Sequence, residues 1–267
     1  MSKVVLITGG SSGIGKSVGE FLTEKGFIVY GTSRNSSKIS SHPFKLVSLD
    51  VNNVATITKA INEVISNEGR LDILINNAGM GITGPVEETP TNEMRNVFNT
   101  NLFGAIDVMK AVLPQMRSQK SGLIINVTSI AGYMGLPFRG IYSATKGALE
   151  IVTEAIRMEV KTFGIEVTNV APGDFATNIA SGRYHTPVFE NSPYKETYQS
   201  NLDLMDAHVD CGSDPIDMAK AIYKIITTKK PKVHYKVGDF MQKFSIILKK
   251  ILPDTIYEKL LMNHYKL

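Results

Sequence analysis

A chain of 267 residues with 43% hydrophobic content is long enough to build one large domain around its own core. Its net charge of +4 comes from lysines and arginines scattered along the chain rather than gathered in a stripe, which argues against a nucleic-acid partner. The single cysteine, Cys211, excludes an intrachain disulfide and a thiolate metal cluster, and His42, His185, His208, His234 and His264 lack the spacing of a helical zinc site, so no metal is expected.

An apolar run begins within a few residues of the N-terminus and meets Gly9 and Gly10 too soon for a signal peptide or membrane anchor, so a cytoplasmic location is the expectation. Residues 4–7 read as a strand, 9–15 as a turn, and Val18, Phe21 and Leu22 as the start of a helical stripe closing at Gly26. Residues 27–31 and 45–49 are further strands. Ile57, Ile61, Val64 and Ile65 then mark a helix leading into a strand at 71–75. Strands at 123–127 and 165–170 follow helical stretches at 93–116 and 142–163, and 232–237 is the last strand. Helices alternating with strands that are apolar on both faces give an α/β class: a doubly wound parallel sheet in a single domain spanning 1–267. The polar segment 174–213 breaks the rhythm and is expected to run over the surface as a lid, followed by a helical extension at 239–267.

The stretch Thr8-Gly9-Gly10-Ser11-Ser12-Gly13-Ile14-Gly15 joins the first strand to the first helix. Backbone N–H groups and the helix dipole favour a phosphate at such a junction, and glycines let a pyrophosphate approach closely. Its spacing, Gly-x-x-x-Gly-x-Gly, resembles the short-chain dehydrogenase/reductase family, whose fold is Rossmann-like. Further matches span most of the chain. Asp50-Val51 resembles the family's adenine-holding pair, Asn76-Asn77-Ala78-Gly79 its Asn-Asn-Ala-Gly turn, and Pro172-Gly173 with Thr177 the segment that cradles the nicotinamide amide. An acidic residue at the end of the second strand would bond a ribose 2′-hydroxyl and repel a 2′-phosphate. This chain instead has Thr32-Ser33-Arg34-Asn35, and a guanidinium there favours NADP(H), with NAD(H) as the second choice. Lys16, just inside the first helix, reads as a surface residue.

Tyr142 and Lys146 lie four apart on one helical face. A free phenol is a poor base at neutral pH, whereas an adjacent ammonium favours the phenolate and lets tyrosine trade a proton with substrate oxygen. Ser129 ends a strand thirteen residues earlier, where ligands bind in doubly wound sheets. Asn101 sits mid-helix among Val97, Phe98, Leu102 and Phe103, an awkward place for a residue of low helix propensity. The resemblance implies a catalytic set of Asn101, Ser129, Tyr142 and Lys146. Hydride passes from NADPH to a carbonyl carbon, Ser129 orients the oxygen, Tyr142 supplies the proton, Lys146 tunes Tyr142 and contacts the nicotinamide ribose, and Asn101 helps hold a proton-relay water. Oxidation of the alcohol reverses these steps. For Asn101, a buried amide satisfied by backbone is the alternative.

Tyr133, Met134, Leu136, Pro137 and Phe138 are expected beside the nicotinamide, with Phe175, Tyr184, Phe189, Tyr194 and Tyr198 added by the lid. That lining points to a bulky or lipophilic carbonyl compound or alcohol; packing the lid down is an equal alternative for these side chains. Phe240, Phe244, Ile247, Leu248 and Ile251 form a helical stripe flanked by Lys243 and Lys250. Covering the pocket or a subunit contact is expected of it ahead of a membrane surface. The Gly-Ile-Tyr-Ser-Ala-Thr-Lys context and the extension resemble the hydroxysteroid and retinol dehydrogenase and long-chain ketone reductase branch, and the family implies a homodimer or homotetramer through the helices of Asn101 and Tyr142. The rival functions are a catalytically silent NADP(H)-binding sensor or scaffold and a sugar-nucleotide epimerase of related fold.

Overall fold

The computed structural model describes residues 2–36, 39, 42–176, 182–210 and 212–267, with backbone alone over 206–210. The first half alternates strand and helix: β1 (Val4–Ile7), α1 (Gly13–Glu24), β2 (Ile28–Ser33), β3 (Lys45–Ser48), α2 (Val54–Glu68) and β4 (Ile73–Asn76). A short strand β5 (Ile82–Thr83) precedes α3 (Thr91–Phe98), which runs through a π turn at Asn99–Phe103 into α4 (Gly104–Gln119). Next come β6 (Gly122–Val127), a 3₁₀ turn at Ile130–Tyr133, α5 (Gly140–Val160), β7 (Ile165–Pro172) and β8 (Tyr184–His185). The chain closes with α6 (Lys195–Asp210), α7 (Pro215–Thr227), β9 (His234–Val237), α8 (Phe240–Ile251) and α9 (Asp254–Tyr265).

Seven strands form one parallel sheet in the order β3-β2-β1-β4-β6-β7-β9, and β5 pairs with β8 in a small separate ribbon. The order reverses between β1 and β4, and there the crevice at the carboxyl ends of the strands opens. Val4 and Leu6 of β1 enter the core shared with α2, α4 and α5, while Val5 and Ile7 enter the opposite core with α1 and α7. A strand packed on both faces has no polar side to present, which is why Val-Val-Leu-Ile reads as an unbroken apolar run.

Two features differ from the sequence reading. The lid region carries α6 and β8 rather than being a bare surface loop, and Tyr198 and Asn201 of α6 are fully buried. The stripe expected on α8 is out of phase: Ile246 packs against Ile130, Met134, Ala171 and Tyr257, while Phe240, Ile247 and Ile251 stay exposed. No helix among the described residues is long and apolar enough to cross a membrane.

Candidate active site

The turn after β1 reaches left-handed backbone at Gly9 (φ 64°) and Gly13 (φ 52°), a conformation that side-chain-bearing residues rarely adopt. A Cβ on Gly10 would lie 2.6 Å from Gly31 Cα, so β2 can approach only a glycine there. Ser12, the N-cap of α1, makes no side-chain capping bond, and the first turn holds no acidic residue. The helix therefore begins with unpaired N–H donors, a suitable seat for a phosphate. Thr8 Oγ1 accepts from the N–H groups of Asn77 (2.9 Å) and Ala78 (3.0 Å), while Asn77 Nδ2 donates to the carbonyls of Thr8 (3.0 Å) and Gly9 (3.2 Å). The glycine turn and the Asn-Asn-Ala-Gly turn are thus bolted together.

A cleft of about 600 Å³ runs along this edge. Gly9, Ser11, Ser12, Gly13, Ile14, Ser33, Arg34, Asn35, Asp50, Val51, Asn77, Ala78 and Gly79 all line it, as the sequence reading expects. Gly15 does not; its Cα faces the Asn77 side chain, so its role is packing. Arg34 is exposed at the rim and forms no ion pair with a described residue. Lys16 pairs with Glu20 at 3.7 Å on the surface of α1. At Ile14 the cleft meets a narrower recess that Ser129, Tyr142, Pro172 and Gly173 also line. Thr177 lies outside the described residues, as does Cys211.

Ser129 and Tyr142 each show 8% of their surface, and both face this recess. Ser129 Oγ accepts the Ala131 N–H at 3.2 Å, capping the 3₁₀ turn and keeping its own proton to donate. Lys146, one turn after Tyr142 on α5, is buried; its Nζ donates to the Val127 carbonyl at 3.0 Å and sits 5.9 Å from the centre of the Tyr142 ring. Asn101 occupies the centre of the π turn, a feature frequent at functional sites. Its Oδ1 accepts the Met80 N–H at 2.8 Å, and its Nδ2 donates to the Met80 carbonyl (2.9 Å) and to Thr145 Oγ1 (3.1 Å). A Cβ on Gly79 would lie 3.2 Å from Asn101 Oδ1 and 3.4 Å from Lys146 Nζ, so both side chains converge behind that glycine.

The apolar wall expected around the substrate is mostly interior packing. Met134 belongs to the Ile246–Tyr257 cluster, Phe138 packs on Tyr198, Tyr194 bonds Glu87, and Phe189 is exposed; of the ten aromatic and apolar residues expected at the pocket, only Phe175 lines the recess. Beside it stand Arg139, Asp174 and Arg183. Gln242 of α8 donates from Nε2 to Asp174 Oδ2 at 2.8 Å, bracing the Pro172–Asp174 corner. Behind Ser129, burial pushes the Glu150 carboxyl up to about 7, opposed by the Thr128 hydroxyl that donates to it at 3.0 Å. The Tyr133 phenol points to Glu150 without completing a hydrogen bond, and burial followed by that carboxylate pushes it up. None of Arg139, Arg183, Gln242 and Glu150 stands out in the sequence, although a carboxylate four residues after Lys146 amid apolar neighbours marks Glu150 as unusual.

A uniformly parallel sheet, a glycine-rich turn at its switch point, and Ser129 and the α5 pair Tyr142 and Lys146 at its carboxyl edge are the arrangement of a dinucleotide-dependent oxidoreductase. The chain belongs to the short-chain dehydrogenase family, whose model matches residues 3–187. It is similar to a 3-ketodihydrosphingosine reductase of Bacteroides thetaiotaomicron, 40% identical over 264 residues, with 98% of each chain covered. Among solved structures it is similar to a short-chain dehydrogenase from Streptomyces avermitilis, with a TM-score of 0.83, 31% identity, and 100% and 96% of the two chains covered. It is also similar to ElxO with NADP bound, with a TM-score of 0.71, 29% identity, and 89% and 97% covered.

Proposed function

We propose that the protein is an NADP(H)-dependent ketone reductase whose substrate is a bulky or lipophilic carbonyl compound. The steroid, retinoid and long-chain ketone classes all fit that description; likeness over the full length to a 3-ketodihydrosphingosine reductase favours a long-chain ketone. The observation that carries the reading is that Ser129 and Tyr142 line one recess, which is joined at Ile14 to the dinucleotide cleft.

The residues present fit NADP(H). The open N-terminus of α1 with Ser11, Ser12, Gly13 and Ile14 holds the pyrophosphate, Asp50 and Val51 flank the adenine, and Ser33, Arg34 and Asn35 take the 2′-phosphate. When bound, NADPH supplies the hydride. Ser129 donates a hydrogen bond to the substrate oxygen and Tyr142 gives it a proton, so negative charge never accumulates there. Lys146, oriented by the Val127 carbonyl, stabilises the phenolate left behind and bonds the nicotinamide ribose. Asn101 has its whole amide engaged by Met80 and Thr145, so it acts by positioning the Gly79–Met80 turn and α5 rather than by holding a relay water with its side chain.

The test is NADPH oxidation by the purified protein with 3-ketodihydrosphingosine and a panel of steroid, retinoid and aliphatic ketones. Turnover of long-chain ketones is expected. Tight NADPH binding without turnover of any carbonyl would favour the silent sensor, and conversion of nucleotide sugars the epimerase.

A further inference from the structure

We propose that the outer face of α8 is a docking surface for an anionic lipid bilayer, on which the protein lies with its catalytic recess close to the membrane. The lipid-binding claim stands apart from the ketone-reductase reading; joined to it, the surface puts the recess where a lipophilic ketone dissolves. With twelve residues, Phe240–Ile251, α8 can lie on a bilayer but is too short to cross one.

Phe240, Phe244, Ile247 and Ile251 follow one another at steps of four, three and four, which puts them on a single stripe along α8. Phe240 is 71% exposed and Ile251 67%, Ile247 is half exposed, and none of the four joins a buried cluster among the described residues. Phe240 and Phe244 stack with ring centres 5.6 Å apart, so the stripe begins with an aromatic patch. The other side of the helix is already anchored. Ile246 packs against Ile130, Met134, Ala171 and Tyr257, and Gln242 donates to Asp174 at the edge of the recess. One helix diameter, about 10 Å, therefore separates the stripe from the recess wall.

Lys243 and Lys250 each precede a residue of the stripe, two turns apart, and so line one edge of it. Neither forms an ion pair with a described residue, whereas Lys249, turned away from the stripe, is paired with Asp254 at 2.8 Å. Burial, and then the charge of Lys250, lower the Lys236 ammonium of β9 below the ordinary lysine value, so a third cation lies within reach of Lys250. α8 itself carries no acidic residue. An apolar stripe with a cationic edge matches an anionic bilayer, whose acyl chains take the apolar side chains while headgroup phosphates take the lysines. A second copy meeting the same face about a two-fold axis would set these lysines against their own images with no carboxylate of α8 between them, which disfavours a subunit contact.

The test is co-sedimentation of the full-length protein, without substrate, with vesicles of phosphatidylcholine and phosphatidylglycerol in equal parts and with vesicles of phosphatidylcholine alone. Binding to the anionic vesicles is expected to be about tenfold or more tighter, and to weaken as salt is raised. The double variant Phe240→Ser with Ile251→Ser and, separately, Lys243→Gln with Lys250→Gln should each weaken it about tenfold or more. Val54→Ser, which removes an exposed apolar side chain of α2, should leave it unchanged. No binding to anionic vesicles, equal binding to both kinds, binding unchanged in either double variant, or an equal loss in Val54→Ser would overturn the surface. A smaller sedimenting species for Phe240→Ser with Ile251→Ser in the absence of vesicles would assign the stripe to a subunit contact and overturn it too. Vesicle binding by a protein that turns over no ketone would leave the surface standing and sink the reductase reading, whereas turnover without vesicle binding would do the reverse.

Discussion

Glu150 holds its proton far above the ordinary 4.5 of a glutamate because it is buried behind Ser129, and this sets a pH dependence of stability. The folded form keeps the proton up to about 7, whereas the unfolded chain releases it near 4.5. The stabilisation is therefore complete below 4.5 and is lost as pH rises through 7. Between those limits we expect wild type to lose roughly 2–3 kcal/mol relative to Glu150→Gln, read from urea midpoints at a series of pH values. A parallel course of the two proteins would show that Glu150 titrates as an ordinary surface acid. Arg34 lines the rim of the dinucleotide cleft, and we propose that it controls cofactor choice. Arg34→Ala should raise the NADPH dissociation constant about tenfold while changing that of NADH little, because only the former loses a charge-assisted bond. Equal losses would mean that the arginine does not meet the 2′-phosphate.

The glycine turn, the Tyr-x-x-x-Lys pair and the alternating strands are legible in the sequence because each depends on local spacing. Gly9 and Gly13 need positive φ, Tyr142 and Lys146 need only one helical turn, and a strand buried on both faces must be apolar throughout. The elements that escape notice are set by contacts from far along the chain. Tyr198 reaches across to the Thr83 carbonyl at 3.0 Å, and the Asn201 amide donates to the Tyr265 carbonyl at 3.1 Å, so polar-looking α6 is held by partners 115 and 64 residues away. The site reading overstates apolarity for the same reason, since Tyr133, Met134 and Leu136 pack with residues of α8 and α9 and Phe138 packs on Tyr198 of α6. One missed helix did carry a signal. Asp214 followed by Pro215 is an N-cap and first-turn pair, and its carboxylate accepts the Ile216 N–H at 2.9 Å. Asp214→Ala should cost about 1 kcal/mol, lowering the melting temperature by roughly 2–4 °C in a thermal scan.

At the scale of the molecule, α5 shows one face to the catalytic recess and another to solvent. Ile151 and Met158, two turns apart, are 69% and 72% exposed, and Phe103 in the π turn before α4 is 53% exposed. Large apolar side chains on helices that also hold Asn101 and Tyr142 suit a subunit contact. We expect wild type to sediment as a dimer or tetramer and Ile151→Glu to shift it towards monomer; a monomeric wild type would remove this surface from consideration. The whole arrangement nonetheless turns on one hydroxyl. The most direct measurement is the rate of NADPH oxidation with a saturating long-chain ketone in wild type and Tyr142→Phe, alongside NADPH affinity for both. If Tyr142 is the proton donor, the variant loses about 10²–10⁴-fold in rate and binds NADPH nearly as well as wild type. A variant that turns over at the wild-type rate would contradict the assignment.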